Sequence, residues 1–341
     1  MKRFLAAALT AASLAFASPS FAQTPPNVLV VGQIAEPKSL DPHAVTAVND
    51  FRILMNVYDG LVRYKDGTLE VEPALAESWT ISDDGTVYTF KLRDGVTFHD
   101  GAEFDSEDAV FSFNRAMSPD SDFKELLASV AEVRAKGKYG FEIVTNGPNP
   151  IMPSNLTNLF IIDKDWAEAN NAVKVQDFEG GEDTFAARNA NGTGPYKLVS
   201  REPDAKTVLT INENYWGKDE FPMEVTEIVY TPIQNAATRV AALLSGEVDF
   251  IQDVPVQDLG RVSSTDGLKV ITAPQNRVIF FGMNQGDADL KGDNVDGKNP
   301  FAEKRVRQAM NMAITRDAIK QVVMRGQSIP AGVAMPPFVN G

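Results

Sequence analysis

The chain has 341 residues, no cysteine, two histidines and a formal net charge of −14 at pH 7. Without cysteine there is no disulfide, no thiol nucleophile and no thiol for lipid attachment, and a chain this long buries a sufficient core without such links. The acidic balance disfavours nucleic acid and anionic membrane as partners, and 43% hydrophobic with 9% aromatic residues describes a globular protein, not a disordered one.

The first segment reads as an export leader. Lys2 and Arg3 precede an apolar run from Phe4 to Phe16, interrupted only by Thr10 and Ser13. Ser18-Pro-Ser-Phe-Ala22 follows, with small residues at Ser20 and Ala22 ahead of a cut after Ala22. That is the order of a cleaved secretory signal. The apolar run is too short for a transmembrane anchor, which takes about 20 residues. Loss of the leader removes two positive charges and leaves the rest more acidic still.

Val28 to Val31 is a short valine-rich run and predicts a buried strand, followed by Gly32 and a polar loop from Gln33 to Pro42. Asp50 to Tyr58 places Phe51, Leu54, Met55 and Tyr58 at helical spacing, which predicts one core-facing stripe, ended by Asp59-Gly60. Two hairpins are predicted next, one from Thr80 to Phe90 around Asp84-Gly85 and one from Lys91 to Phe98 around Asp94-Gly95. Ser106-Glu-Asp-Ala opens a helix to about Met117, with Ser106 as its cap and acids in the first turn.

Further on, a helix is predicted near Phe123 to Val130 and a strand over Phe141 to Thr145, before a loop with Pro148, Pro150 and Pro153. Asn191-Gly-Thr-Gly-Pro-Tyr196 reads as a turn into a strand, Tyr196 to Val199, pairing with Val208 to Asn212. Glu227 to Tyr230, Val248 to Ile251 and Val278 to Met283 read as strands, and Asn235 to Ser245 as a helix closed by Gly246. Lys304 to Ile314 and Arg316 to Val323 complete the pattern as helices. Hairpins and crossover strands interleaved with helices predict a mixed α/β protein.

Sites of chemistry are few. His43 and His99 are far apart in sequence, and a metal site needs several converging ligands; a surface or supporting place is expected for both. Asp287, Asp289, Asp293 and Asp296 with Gly292 and Gly297 imitate a calcium loop, but Lys298 stands where the last bidentate carboxylate should be. A solvated acidic loop is the better reading. Gly192-Thr-Gly-Pro-Tyr-Lys197 lacks the Gly-Lys-Ser/Thr ending of a phosphate loop and enters a strand. Neither a Gly-x-Ser-x-Gly elbow nor a His-Glu-x-x-His run occurs, so a hydrolase has no constellation to stand on.

A run of segments, in order, resembles one family. They include Glu36-Pro-Lys-Ser-Leu-Asp-Pro42, Asn56-Val-Tyr-Asp-Gly-Leu-Val62, Pro73-Ala-Leu-Ala-Glu-Ser-Trp79 and Phe90-Lys-Leu-Arg-Asp-Gly-Val-Thr-Phe-His-Asp-Gly101. Asp108-Ala-Val-Phe-Ser-Phe113, Gly192-Thr-Gly-Pro-Tyr196, Asn214-Tyr-Trp-Gly217, Arg239 to Asp249 and Pro300 to Ala309 continue it. Together they resemble the extracytoplasmic solute-binding proteins of the peptide, dipeptide and nickel class, solute-binding protein family 5, along nearly the whole chain beyond the leader.

The resemblance implies a two-lobed periplasmic-binding-protein fold of type II, α/β in class, with an added subdomain on lobe one. On this chain that gives a signal peptide over 1–22, lobe one from 23–60 and 191–274, the subdomain over 61–190, and the start of lobe two over 275–341. Family chains normally continue well beyond, so a truncated chain with an incomplete second lobe is expected. The implied role is periplasmic capture of a small molecule, most simply a short peptide, for an ABC importer. Its partners would be the ligand and the permease subunits, with no nucleic acid, no cofactor and a monomeric full-length state. Nickel complexes, opine-like compounds, sugars and glutathione stay open as ligands, because the family's aspartate anchor for a peptide amino group lies beyond Gly341.

Carried over by position, the ligand contacts are Glu36 and Ser39 after the first strand, then Ile251, Gln252 and Asp253, with Phe280 and Gly282 on the strand opening lobe two. Arg277 joins them on charge alone, as a cation able to pair with a carboxylate.

Overall fold

The structure is a computed structural model and describes residues 24–177, 180–273, 275, 277–286, 290 and 298–336. The leader and the imitation calcium loop fall outside the described residues. In chain order, β1 (Val28–Gln33) leads through a long loop to α1 (Val48–Val57). A ribbon of β2 (Val62–Tyr64) and β3 (Val71–Pro73) precedes β4 (Ala76–Ile81), β5 (Val87–Leu92), α2 (Ser106–Ala116), β6 (Val130–Ala135) and β7 (Gly140–Thr145). Three short helices follow, α3 (Met152–Asn155), α4 (Lys164–Ala169) and α5 (Phe185–Arg188). Then come β8 (Tyr196–Glu202), β9 (Lys206–Ile211), β10 (Glu227–Pro232), α6 (Ala236–Ser245), β11 (Phe250–Ile251) and α7 (Leu259–Ser263). Last are α8 (Lys304–Ala313) and α9 (Arg316–Ala318), the latter running into a π turn over Ile319–Val323.

Two sheets organise these elements. The five-stranded sheet has the order β11-β1-β10-β9-β8, with β1 parallel to both β10 and β11, and β9 antiparallel to both β10 and β8. Side chains alternate across β1. Val31 packs with Ile53, Leu54 and Val57 of α1, together with Leu209, Ile228 and Tyr230. Val30 faces the other way, onto Val240 and Leu243 of α6 and onto Val248, Ile251 and Val262. Full burial of each such side chain stabilises by about 1.5–3 kcal/mol before the entropy of ordering is counted.

The four-stranded sheet, β4-β5-β7-β6, is antiparallel throughout and packs Tyr88, Phe90, Phe141 and Ile143 against Ala109 and Phe113 of α2. The predicted hairpin at Asp84-Gly85 is present as β4 and β5, and Gly85 sits at φ 71°, the left-handed turn conformation.

Several expectations are corrected. The second hairpin does not form on β5, because both edges of that strand are taken by β4 and β7. Val96 to Phe98 instead folds onto Ala102 to Phe104, with Phe98 N donating to Ala102 O at 2.8 Å and Phe104 N to Val96 O at 2.9 Å. The cap of α2 is Asp105, not Ser106: its carboxylate accepts from Glu107 N, while the Asp108 carboxylate returns to Asp105 N. Phe123 to Val130 is a series of turns with mostly i→i+3 bonds, and β6 begins where a helix was expected to end. Phe123 and Leu127 are buried there, so their four-residue spacing reflects core plugging and not a helix. On α1 the buried stripe is Ile53, Leu54 and Val57, whereas Met55 is 53% exposed. Val278 to Met283 has no regular secondary structure and pairs with no strand among the described residues, leaving Ile279, Phe280 and Phe281 exposed.

Candidate functional site

Three parallel strands, β10, β1 and β11, end side by side, and the end of β11 with the loops leaving β1 and β11 carries five of the eight residues singled out in the sequence. In open α/β sheets ligands bind in the crevice beyond the carboxyl ends of such strands. The geometry of each loop follows from what holds it.

The loop after β1 is fixed from two sides. Glu36 Oε1 accepts from Asp204 N at 3.2 Å, and Glu36 Oε2 lies 3.7 Å from Arg201 Nε. Arg201, on β8, also donates to Pro37 O at 2.5 Å and to Ala187 O at 2.7 Å. Lys38 N donates to the buried Asp50 carboxylate at 2.7 Å. Burial holds the Asp50 carboxyl above its usual range, only partly offset by that bond. Ser39 is fully buried, and its hydroxyl donates to Gln176 Oε1 at 2.6 Å while accepting from Asp41 N at 3.0 Å. In this structure Ser39 therefore shapes the loop from beneath and presents no side chain to solvent.

Farther along, Asp41 takes a two-pronged bond from Arg115 of α2, and Arg115 Nη1 lies 3.0 Å from His43 Nδ1. His43 Nε2 lies 2.9 Å from Phe160 O, which makes Nε2 the protonated nitrogen and Nδ1 the acceptor for Arg115. Burial, and then the Arg115 charge, push the His43 ring down to about 4. For Asp41, burial opposes ionisation, but the hydrogen bond and charge of Arg115 outweigh it and hold the carboxyl below its usual range. The expected surface or supporting place of His43 is thus resolved as a wholly buried one.

The loops after β10 and β11 are gathered by one side chain. Arg239, on the inner face of α6, donates to Ile233 O at 2.6 Å, Gln234 O at 3.4 Å and Asp253 O at 3.4 Å. Gln252 N donates to Gly32 O at 3.4 Å, which continues the β1 to β11 pairing. Ile251 is buried in the core beneath α6, so only its backbone reaches the strand end. The Asp253 side chain is 55% exposed, with Arg52 of α1 at 3.2 Å from Oδ2 and 3.3 Å from Oδ1. Glu36, Gln252 and Asp253 are thereby placed at the ends of adjacent strands.

Arg277, Phe280 and Gly282 are not brought to this place. They lie in the irregular segment beyond α7, and no hydrogen bond or ion pair joins them to Glu36, Gln252 or Asp253. Phe280 is 71% exposed. Sequence reasoning missed Arg52, Arg201 and Arg239. The available signal was Arg239 itself, a lone charge within Ala236-Ala-Thr-Arg-Val-Ala-Ala-Leu-Leu244, on what is otherwise an apolar helix.

Both histidines have both ring nitrogens engaged, for His99 Nε2 lies 3.0 Å from Gly194 O and Nδ1 accepts from Gly192 N at 3.4 Å. Among the described residues no group of three or more His, Cys, Asp or Glu could hold a metal ion. No described helix is long and apolar enough to cross a membrane.

Comparison with known proteins adds the following. Residues 70–341 match the family described as bacterial extracellular solute-binding proteins, family 5 Middle. The chain is similar to heme-binding protein A of Haemophilus influenzae, at 32% identity over 83% of this chain and 52% of that protein. It is similar in structure to the periplasmic binding protein DppA of Helicobacter pylori in complex with the peptide STSA, with a TM-score of 0.74 and 30% identity, covering 91% of this chain and 60% of that one. The oligopeptide-binding protein AppA of Bacillus subtilis, in complex with a nonapeptide, gives a TM-score of 0.78 at 26% identity, covering 91% and 58%. The chain thus spans between half and three-fifths of the length of these proteins. With the family profile matched over most of its length, the chain belongs to the family 5 bacterial extracellular solute-binding proteins.

Proposed function

We propose that the protein is the periplasmic solute-binding component of an ABC importer, and that it captures a short peptide for the membrane permease. The reading carries no catalytic role. The observation that supports it most is the joint ending of β10, β1 and β11, which sets Glu36, Gln252 and Asp253 at the carboxyl ends of adjacent parallel strands. Main-chain recognition tolerates varied side chains, as in strand addition. Two of the similar solved structures hold peptides.

In this reading residues 1–22 are a cleaved leader, 23–60 with 191–274 form lobe one, 61–190 are the added subdomain and 275–341 open lobe two. Ser39 and Ile251 support the rim from below, and Arg277, Phe280 and Gly282 would meet the ligand from the opposite lobe when the lobes close. The complete protein would act as a monomer.

Similarity to heme-binding protein A favours a second ligand class. Against iron ligation by this chain's histidines stands the engagement of all four ring nitrogens of His43 and His99. A thermal-shift and calorimetric screen separates the classes, using di- to pentapeptides against hemin, nickel–histidine, glutathione, opines and sugars. A ligand at 100 times its dissociation constant adds about 2.7 kcal/mol to stability. The peptide reading requires an upward shift with several unrelated peptides, lost on acetylating their amino terminus. A shift with hemin or a sugar and none with any peptide overturns it.

A further inference from the structure

Arg239 is 3% exposed, and among the described residues no acidic side chain forms a salt bridge with it. Its guanidinium instead binds three carbonyl oxygens, two from the end of β10 and one from the residue after Gln252, while Nε has no hydrogen-bond partner. Burial lowers its pKa, which marks the charge as costly where it sits. A buried charge of this kind is often replaceable by an apolar side chain without loss of stability. Core packing alone therefore gives no reason for an arginine among Val240, Leu243 and Val248.

The three acceptors give the reason. Ile233 and Gln234 leave β10, Asp253 leaves β11, and β1 lies between these two strands. One planar fork thus spans the gap and fixes both neighbouring loops to one height above the β1 end. Asp253 is then held twice, its carbonyl by Arg239 and its carboxylate by Arg52.

We infer that Arg239 is a positioning residue for the ligand rim, which sets where Gln252 and Asp253 meet a bound cationic or main-chain donor group. The inference rests on the strand-end location of the site proposed above. Arg239→Met keeps the volume and removes the donors; Leu243→Val, on the same helix and in the same core, serves as a packing control. Two readouts apply to the full chain: hydrogen exchange across residues 250–254, and affinity for whichever peptide the wild type binds best.

Arg239→Met is expected to speed exchange at 250–254 by about 10-fold and to weaken peptide binding by about 10-fold, as for loss of one or two hydrogen bonds. Leu243→Val is expected to lower the melting temperature without either local effect. Should Arg239→Met prove insoluble, Arg239→Lys, which retains charge but not the fork, enters the same comparison. Equal effects in the arginine variants and the control would reduce Arg239 to a packing residue. If the wild type binds no peptide, the ligand proposal fails, and the exchange comparison still decides the role of Arg239.

Discussion

Arg115 and Asp41 form a wholly buried two-pronged ion pair, 2.7 and 2.6 Å long, which ties α2 to the loop leaving β1. The remaining Arg115 donors reach Ala172 O, Val173 O and Lys174 O, and Gln176 N donates to Asp41 Oδ2. One guanidinium thus fastens the loop bearing Glu36 and Ser39 to the four-stranded sheet's helix and to the segment before α5. Breaking such a pair from one side strands a buried charge, which costs about 3–5 kcal/mol. Arg115→Met should therefore lower unfolding stability in urea by about that amount. Arg115→Met with Asp41→Leu should recover part of the loss, and a double variant no better than the single would contradict the account.

The same loop confers sensitivity to acid. The His43 ring is held neutral when folded, near 4, against an ordinary value of 6.5. Between those values the unfolded chain binds the proton and the folded chain does not, so stability rises with pH across the window and falls as pH drops below about 6.5. Burial likewise pushes His99 to about 4, with the same sign. Asp108, raised to about 6 chiefly by burial, works in the opposite direction below that pH, because the folded state holds its proton more tightly. A raw stability profile mixes these groups. The wild type should accordingly lose more stability than His43→Gln between pH 7 and pH 5, in paired urea titrations. Parallel profiles for the two proteins would show that His43 does not titrate as described.

Much of the fold was legible where the signal is local. The Asp84-Gly85 turn between alternating segments, the α6 helix with its Gly246 stop, and the β8–β9 pair all stand as read. What failed needed knowledge of distant neighbours. Nothing near Lys91 shows that β5 will have β7 on its second edge, some fifty residues on, and so cannot hold Val96 to Phe98. Phe123 and Leu127 carry helical spacing because both plug one core, and the sequence pattern of a helix is the same. At the site, Glu36, Gln252 and Asp253 came from family motifs. The arginines that hold them were missed, although Arg239 opens one of those motifs, since an arginine on an apolar helix also fits a solvated edge.

The cap of α2 illustrates a one-residue ambiguity with a measurable consequence. Asp105 caps, and the Ser106 hydroxyl instead donates to Gly137 O at 2.8 Å. Asp105→Ala should cost about 1 kcal/mol and Asp105→Asn much less, because asparagine keeps the accepting oxygen. Equal losses from both would point to charge, not capping.

Export makes a direct prediction from the leader alone. Mass spectrometry of the protein recovered from the periplasm should show a chain beginning at Gln23, because the small residues at Ser20 and Ala22 set the cut. A cytoplasmic product retaining Met1 would refute the leader.

The turn Gly192-Thr-Gly-Pro is a structural clamp, and it separates two uses of glycine. Gly194 N donates to Val57 O at 3.0 Å, which brings the turn against the last residues of α1. A Cβ on Gly194 would lie 2.6 Å from Val57 C and 2.8 Å from Asn56 O, both backbone atoms that cannot swing aside. Gly246 is the other case: it closes α6 at φ 76° with open space around any added Cβ. Gly246→Ala should cost about 1 kcal/mol, the strain of the left-handed conformation alone. Gly194→Ala must displace either the turn or α1, and should cost about 3 kcal/mol. Because α1 carries Arg52, which bonds Asp253, that displacement should also weaken ligand binding, whereas Gly246→Ala should alter binding less. Urea unfolding and calorimetry on the two variants check both halves, and a Gly194→Ala protein as stable as Gly246→Ala would mean the α1 contact is not close-packed.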